Sequence, residues 1–202
     1  VLGEGSQLQS LNGLVLGSQG TLSAAGNGLV LGAFVNQGQV LGPQPGDARL
    51  VFNDAVSGGG SFSGAVRFNQ TYSPGNSAAA VQLGDVEFAP SAHLALDLLG
   101  AAPGSGHDQL NVAGSALLDG TLALIFGAGF SPQQGSSFVL MTWGQGSGRF
   151  ADYSVSGLAQ GLGTQLVYGE HALQLNVTAV PEPASWALML VGVAGLRVWR
   201  RR

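Results

Sequence analysis

Along most of the chain, apolar residues alternate with polar or small ones over short windows. Leu94, Leu96 and Leu98 alternate with Ala95 and Asp97. The same spacing recurs at Leu122, Leu124 and Phe126, and again at Leu173, Leu175 and Val177. A period of two puts one face of a strand inward and the other outward. Shorter runs of the same kind, Leu50-Val51-Phe52, Val66 with Phe68, Val81 with Leu83 and Val86 with Phe88, are separated by glycine or by Asn-Asp and Gly-Asp pairs. These are strand and turn signals. No window before residue 180 carries a helical period, so residues 1–179 are predicted to be almost entirely strand and turn.

The first stretch repeats itself. Asn12-Gly13-Leu14-Val15-Leu16-Gly17 returns fifteen residues later as Asn27-Gly28-Leu29-Val30-Leu31-Gly32. Val1-Leu2-Gly3 and Val40-Leu41-Gly42 are partial copies. Short apolar strands stacked at a steady interval predict a solenoid, in which each unit buries its apolar face against its neighbours. Tyr72-Ser73-Pro74-Gly75-Asn76-Ser77 reads as a turn, with proline fixing φ and Gly75 free to take a positive φ. The segment from Gly100 to Gly106 is the most linker-like. Beyond it the strands lengthen and aromatic residues become denser, as a terminal cap would require. The expected organisation is 1–104 as solenoid repeats, 105–179 as C-terminal solenoid coils or cap, and 180–202 as a separate segment. Val1 falls within the pattern, with neither Met nor a signal peptide before it, and the array is expected to continue one begun upstream.

Composition sharpens this picture. Apolar residues make up 45% and charged residues 9%, with 34 glycines in 202 residues. An ordinary soluble domain is about 25% charged. Cysteine is absent, which removes disulfides, thiolate metal sites and cysteine nucleophiles. Residues 1–180 carry Arg49, Arg67 and Arg149 against ten acids, a net charge of −7. Residues 181–202 carry four arginines against Glu182, a net +3. An acidic body without a basic patch is not a nucleic-acid binder. A basic tail beside an apolar run is a membrane arrangement.

That tail has three parts in order. Val180, Pro181, Glu182 and Pro183 form an extended break, because proline lacks an N–H and forces the preceding residue out of helical geometry. The apolar run from Ala184 to Leu196 follows, with Trp186, Leu188, Leu190, Val191, Val193 and Leu196 as its anchoring residues and Trp199 just beyond. Arg197, Arg200, Arg201 and Arg202 close the chain. The segment is predicted to be a hydrophobic helix. It reaches about 16 residues where a full span needs about 20, so it reads as a temporary tether. The arginines would stay cytoplasmic and the body outside.

These ordered features resemble the PEP-CTERM sorting signal of exported proteins in Gram-negative, biofilm-forming bacteria. The resemblance implies an inner-membrane tether and recognition by exosortase, a membrane-embedded transpeptidase. It also implies an association with exopolysaccharide, and final placement at the cell surface or in the extracellular matrix. The body resembles the β-solenoid repeats of autotransporter passenger domains over roughly residues 50–179. Leu50-Val51-Phe52-Asn53, Tyr72 to Ser77, His107-Asp108-Gln109-Leu110-Asn111-Val112, Gly120-Thr121-Leu122 and Gly135-Ser136-Ser137-Phe138 carry the likeness. It implies a mainly β, right-handed β-helix-like fold with a C-terminal β cap. The likeness is expected to extend to the passenger fold and not to the outer-membrane barrel that ends an autotransporter.

Candidate chemistry is sparse. His107 and Asp108 sit in a loop before Leu110-Asn111-Val112 and point apart in an extended chain, so they make no dyad, and the resemblance implies a strand entry with Asp108 capping a turn. His93 and His171 lack ligand spacing. Asp85 and Glu87 share a face if they lie on a strand, where a solvated exterior accounts for them. No catalytic residue, metal or cofactor is expected. Two functions fit: a non-enzymatic surface or matrix protein contacting exopolysaccharide or other surface proteins, and a fragment of a secreted, lyase-like polysaccharide-active β-helix enzyme whose catalytic coils are expected upstream of Val1. The second requires carboxylates and arginines clustered on one face over consecutive coils, and the three arginines of the body are far apart in sequence.

Overall fold

The computed structural model describes residues 1–44, 46–75 and 77–180. The chain there is strand and turn, without a helix. One sheet contains β1 (Ser6–Gln9), β4 (Gly28–Leu31), β7 (Leu50–Phe52), β10 (Ala65–Phe68), β13 (Asp85–Phe88), β15 (Gln109–Leu118), β17 (Ser137–Gly148), β20 (Ala172–Ala179) and β19 (Leu162–Tyr168), paired in that order. A second contains β2 (Leu14–Leu16), β5 (Phe34–Asn36), β8 (Val56–Gly58), β11 (Thr71–Pro74), β14 (His93–Leu98), β16 (Thr121–Phe126) and β18 (Asp152–Ser156). A third contains β3 (Thr21–Ser23), β6 (Gln39–Leu41) and β9 (Ser61–Ser63). In these circuits each strand pairs in parallel with the strand three places on, so the chain visits the sheets in turn and returns one layer further along.

The interval is not steady. Ser6 faces Gly28 and Gly28 faces Leu50, an offset of 22 residues each time. Leu50 faces Val66, an offset of 16, and Val86 faces Ala116, an offset of 30. The fifteen-residue sequence repeat is therefore not the structural one. Its first copy forms β2 in the second sheet, and its second copy forms β4 in the first sheet. The copies resemble each other because each places the apolar run Leu-Val-Leu in a short strand, Leu14–Leu16 in β2 and Leu29–Leu31 in β4. The layers are set instead by β4 lying between β1, whose sequence is Ser-Gln-Leu-Gln, and β7.

What stacks inside is aromatic. The rings of Phe52 and Phe68 lie 5.6 Å apart and those of Phe68 and Phe88 5.7 Å apart, on successive strands of the first sheet. Tyr72 stacks on Phe68 at 4.3 Å with an interplanar angle of 2°. Each fully buried ring of this kind contributes about 1.5–3 kcal/mol, with something further for the ring pairing. Tyr72 and Pro74 thus belong to a buried strand, a correction to the reading of Tyr72 to Ser77 as one turn. The turn begins at Gly75, whose φ is +77°.

The first and third sheets then merge. The first half of β15 pairs with β12 (Ala80–Leu83) and its second half with β13, with a bulge between Val112 and Ser115. The Asp85 carboxylate accepts both the Ser115 amide and the Ser115 hydroxyl at 2.7 Å, which satisfies the backbone the bulge exposes. Beyond β17 the pairing turns antiparallel through β20 and β19. The segment 157–161 carries the chain from β18, at the end of the second sheet, to β19. The hydroxyl of Tyr153 on β18 donates to the Thr164 carbonyl on β19 at 3.0 Å. The hydroxyl of Tyr168 accepts the Phe150 amide at 3.3 Å. These two tyrosines latch the antiparallel strands across the last layer.

Candidate functional site

The end of the last strand meets the start of the tail. Inward Leu173, Leu175 and Val177 are buried and hold β20 between β17 and β19. Ala179 still pairs with Leu162, and the Val180 amide donates to the Gly161 carbonyl at 3.0 Å. Val180 itself is half exposed. The fold therefore holds the chain up to the residue before Pro181, with no free linker between strand and proline. Pro181, Glu182, Pro183, the anchoring residues Trp186, Leu188, Leu190, Val191, Val193, Leu196 and Trp199, and Arg197, Arg200, Arg201 and Arg202 lie outside the described residues. So does the expected hydrophobic helix. Among the described residues, no helix is long and apolar enough to cross a membrane.

Two charged arrangements that the sequence left scattered come together in the structure. The first is on the outward face of the first sheet. Arg67 on β10 faces Glu87 on β13 in register, with Nη1 to Oε1 at 2.9 Å. Arg49, just before β7, reaches Oε2 of the same carboxylate at 3.8 Å. Arg49 and Arg67 are therefore neighbours through Glu87, not isolated charges. The parallel ladder produces this, because it aligns positions 16 to 22 residues apart. Asn53 and Asn69 extend the polar row, with Asn69 also accepting from Arg67.

The second arrangement is buried. His107 and Asp108 lie immediately before β15 and are almost wholly inaccessible. Oδ1 of Asp108 accepts the Ala79 amide and Oδ2 accepts the Asp97 amide, both at 2.8 Å. One side chain thus ties the entry of β12, the body of β14 and the start of β15. Burial pushes the Asp108 carboxyl up to about 7, against the pull of the two backbone N–H bonds and with added repulsion from Asp97. Burial, and then the Asp108 charge, push the Tyr72 phenol up as well. The Tyr72 hydroxyl and His107 Nδ1 have no hydrogen-bond partner among the described residues. His93 bonds to Thr121 and His171 to the Gly144 carbonyl, so the three histidines do not converge. Among the described residues no three His, Asp or Glu side chains are grouped to hold a metal ion.

A third feature went unread in the sequence. Between β18 and β19 lies an open cleft of about 460 Å³, lined in part by Arg149, Asp152, Tyr153, Thr164, Gln165 and Tyr168. The Arg149 guanidinium sits 4.9 Å over the Tyr168 ring. Partial burial raises the Tyr168 phenol, opposed by the Phe150 hydrogen bond and by Arg149. Aromatic density toward the C-terminus was the available signal, but it does not reveal which rings line an opening.

Residues 179–202 match the PEP-CTERM protein-sorting motif. The chain is thus an exported protein carrying a C-terminal sorting signal of the kind handled by exosortase. The match begins at Ala179, the last residue of β20. No curated protein matches the chain.

Proposed function

We propose that this chain is a non-enzymatic surface or matrix protein. Its body is a β-solenoid, right-handed and β-helix-like, whose coils from 105 to 179 end in a cap. The tail tethers it to the inner membrane until exosortase processing passes it to the cell surface or the extracellular matrix. The observation that carries this reading is the junction: the sorting motif starts where the last paired strand ends. An acidic body with Asn, Gln and Ser on its outer faces suits contact with exopolysaccharide or with other surface proteins.

Replacing Pro181, Glu182 and Pro183 with alanine tests the sorting half. The variant should accumulate unprocessed in the membrane fraction, and normal processing and release would refute the proposal. One observation favours the second reading, a polysaccharide-active enzyme fragment: Arg49, Arg67 and Glu87 lie on consecutive layers of one face. Both oxygens of Glu87 are already engaged by guanidinium groups, which leaves it poorly placed to take a proton from a substrate. Turnover of an acidic polysaccharide that disappears in Glu87→Gln would reverse the preference.

A further inference from the structure

We infer that the cleft between β18 and β19 is a binding site for a sugar ring carrying a carboxylate, a hexuronic acid unit. The inference rests on the proposed contact with extracellular polysaccharide and assigns it a place. At about 460 Å³ the cleft is within the usual range for small-ligand sites, about 300–1,000 Å³. Its lining joins aromatic and polar groups at one opening.

The donors and acceptors select the ligand. Arg149 has no carboxylate within salt-bridge distance among the described residues, unlike Arg49 and Arg67, which share Glu87. Its guanidinium lies over the Tyr168 ring, which holds the planar fork in place. Such a fork pairs with a carboxylate through two parallel hydrogen bonds. Asp152 is exposed, and one of its oxygens accepts the Tyr153 amide, leaving the other able to accept a hydrogen bond from a hydroxyl. The Gln165 side chain is exposed and supplies both a donor and an acceptor. The Tyr168 hydroxyl accepts from Phe150 and keeps its proton to donate, whereas the Tyr153 hydroxyl donates to Thr164 and keeps its acceptor capacity. A ring with several hydroxyls and one carboxylate satisfies these groups together. A polyphosphate would set several negative charges against Asp152 without a hydroxyl to bond it, and a wholly apolar ligand would leave the polar groups unpaired.

The test uses the full chain in detergent micelles and two probes that differ only at C6, methyl galacturonoside and methyl galactoside. The chain has seven arginines and no lysine, so the Arg149 side-chain N–H can be followed by NMR during titration. The galacturonoside should bind at least about tenfold more tightly than the galactoside and shift the Arg149 signal. Arg149→Gln should bring the acid down to the level of the neutral sugar, and Arg149→Lys should retain only part of the preference, because it keeps the charge and loses the fork. Equal binding of the two sugars, or acid binding unchanged in Arg149→Gln, overturns the proposal. Polygalacturonate binding measured alongside separates the two levels. If the wild-type chain binds the polymer and Arg149→Gln binds it equally well, the cleft is wrong and the surface-contact reading stands. If the wild-type chain binds no polymer, both fail.

Discussion

Strands β1 to β13 are three or four residues long, whereas those from β14 onward run from five to twelve. The short strands are positioned by what lies one layer away. The long ones carry more of their instructions in their own alternation. A three-residue strand buries at most two side chains, too few to fix its register alone. In the first region that information is supplied by rings stacked across layers and by backbone segments in close approach. In the second region β14, β16 and β20 bury alternate residues over six to eight positions, and each pattern suffices to orient its strand.

Removing a stacked ring should strike the first region hardest. Phe68 is fully buried and touches the rings of Phe52, Phe62, Tyr72 and Phe88. Phe68→Ala should destabilise by about 3–5 kcal/mol, seen as a lower urea midpoint at nearly unchanged slope. Leu166 in β19 is only partly buried, and Leu166→Ala should cost about 1–2 kcal/mol. Similar losses for the two would mean that the stack is no more demanding than the antiparallel strands.

The same contrast explains what was legible. Val66 with Phe68, Leu94 to Leu98, Leu122 to Phe126 and Leu173 to Val177 were found because apolar alternation marks them, and all are strands. Ser6–Gln9 and Ser61–Ser63 contain one apolar residue each and were missed, since their pairing is dictated by neighbours 22 residues away. The Arg49–Glu87–Arg67 cluster and the burial of Asp108 depend on that layer-to-layer register. The sorting tail was legible because its order of proline, apolar and basic residues is local.

Glycine corners offer a finer comparison. Gly58, at the end of β8, has a φ of +102°, and a Cβ there would stand 2.1 Å from the Asn36 carbonyl oxygen on the layer before. Gly161, between β18 and β19, has a φ of +84° and nothing within 4 Å of such a Cβ. Alanine at either site meets the left-handed penalty of about 1–2 kcal/mol. Only Gly58→Ala must also push two backbone layers apart, so it should cost more than about 2 kcal/mol, against about 1 kcal/mol for Gly161→Ala. Thermal unfolding of both variants measures the gap, and equal shifts would show that close layering does not constrain that corner.

A pH-dependent effect sits at the seam of the two regions. Asp108 joins β12 and β14 to the start of β15 through the Ala79 and Asp97 amides. Its carboxyl rises from an ordinary 3.8 to about 7 in the fold, chiefly because burial disfavours the charge. Between those values the folded chain holds a proton that the unfolded chain has lost. Stability from this group is therefore greatest below about pH 4 and declines as pH rises toward 7. Asp108→Asn removes the titration but presents an amide where the second backbone N–H requires an acceptor. It should cost about 1–2 kcal/mol at low pH and flatten this part of the stability profile. Urea midpoints from pH 4 to 8 for the two proteins give the comparison. A wild-type profile that rises across that window relative to Asp108→Asn would mean that the two amide bonds outweigh burial, and that the seam is tightest with the carboxylate charged.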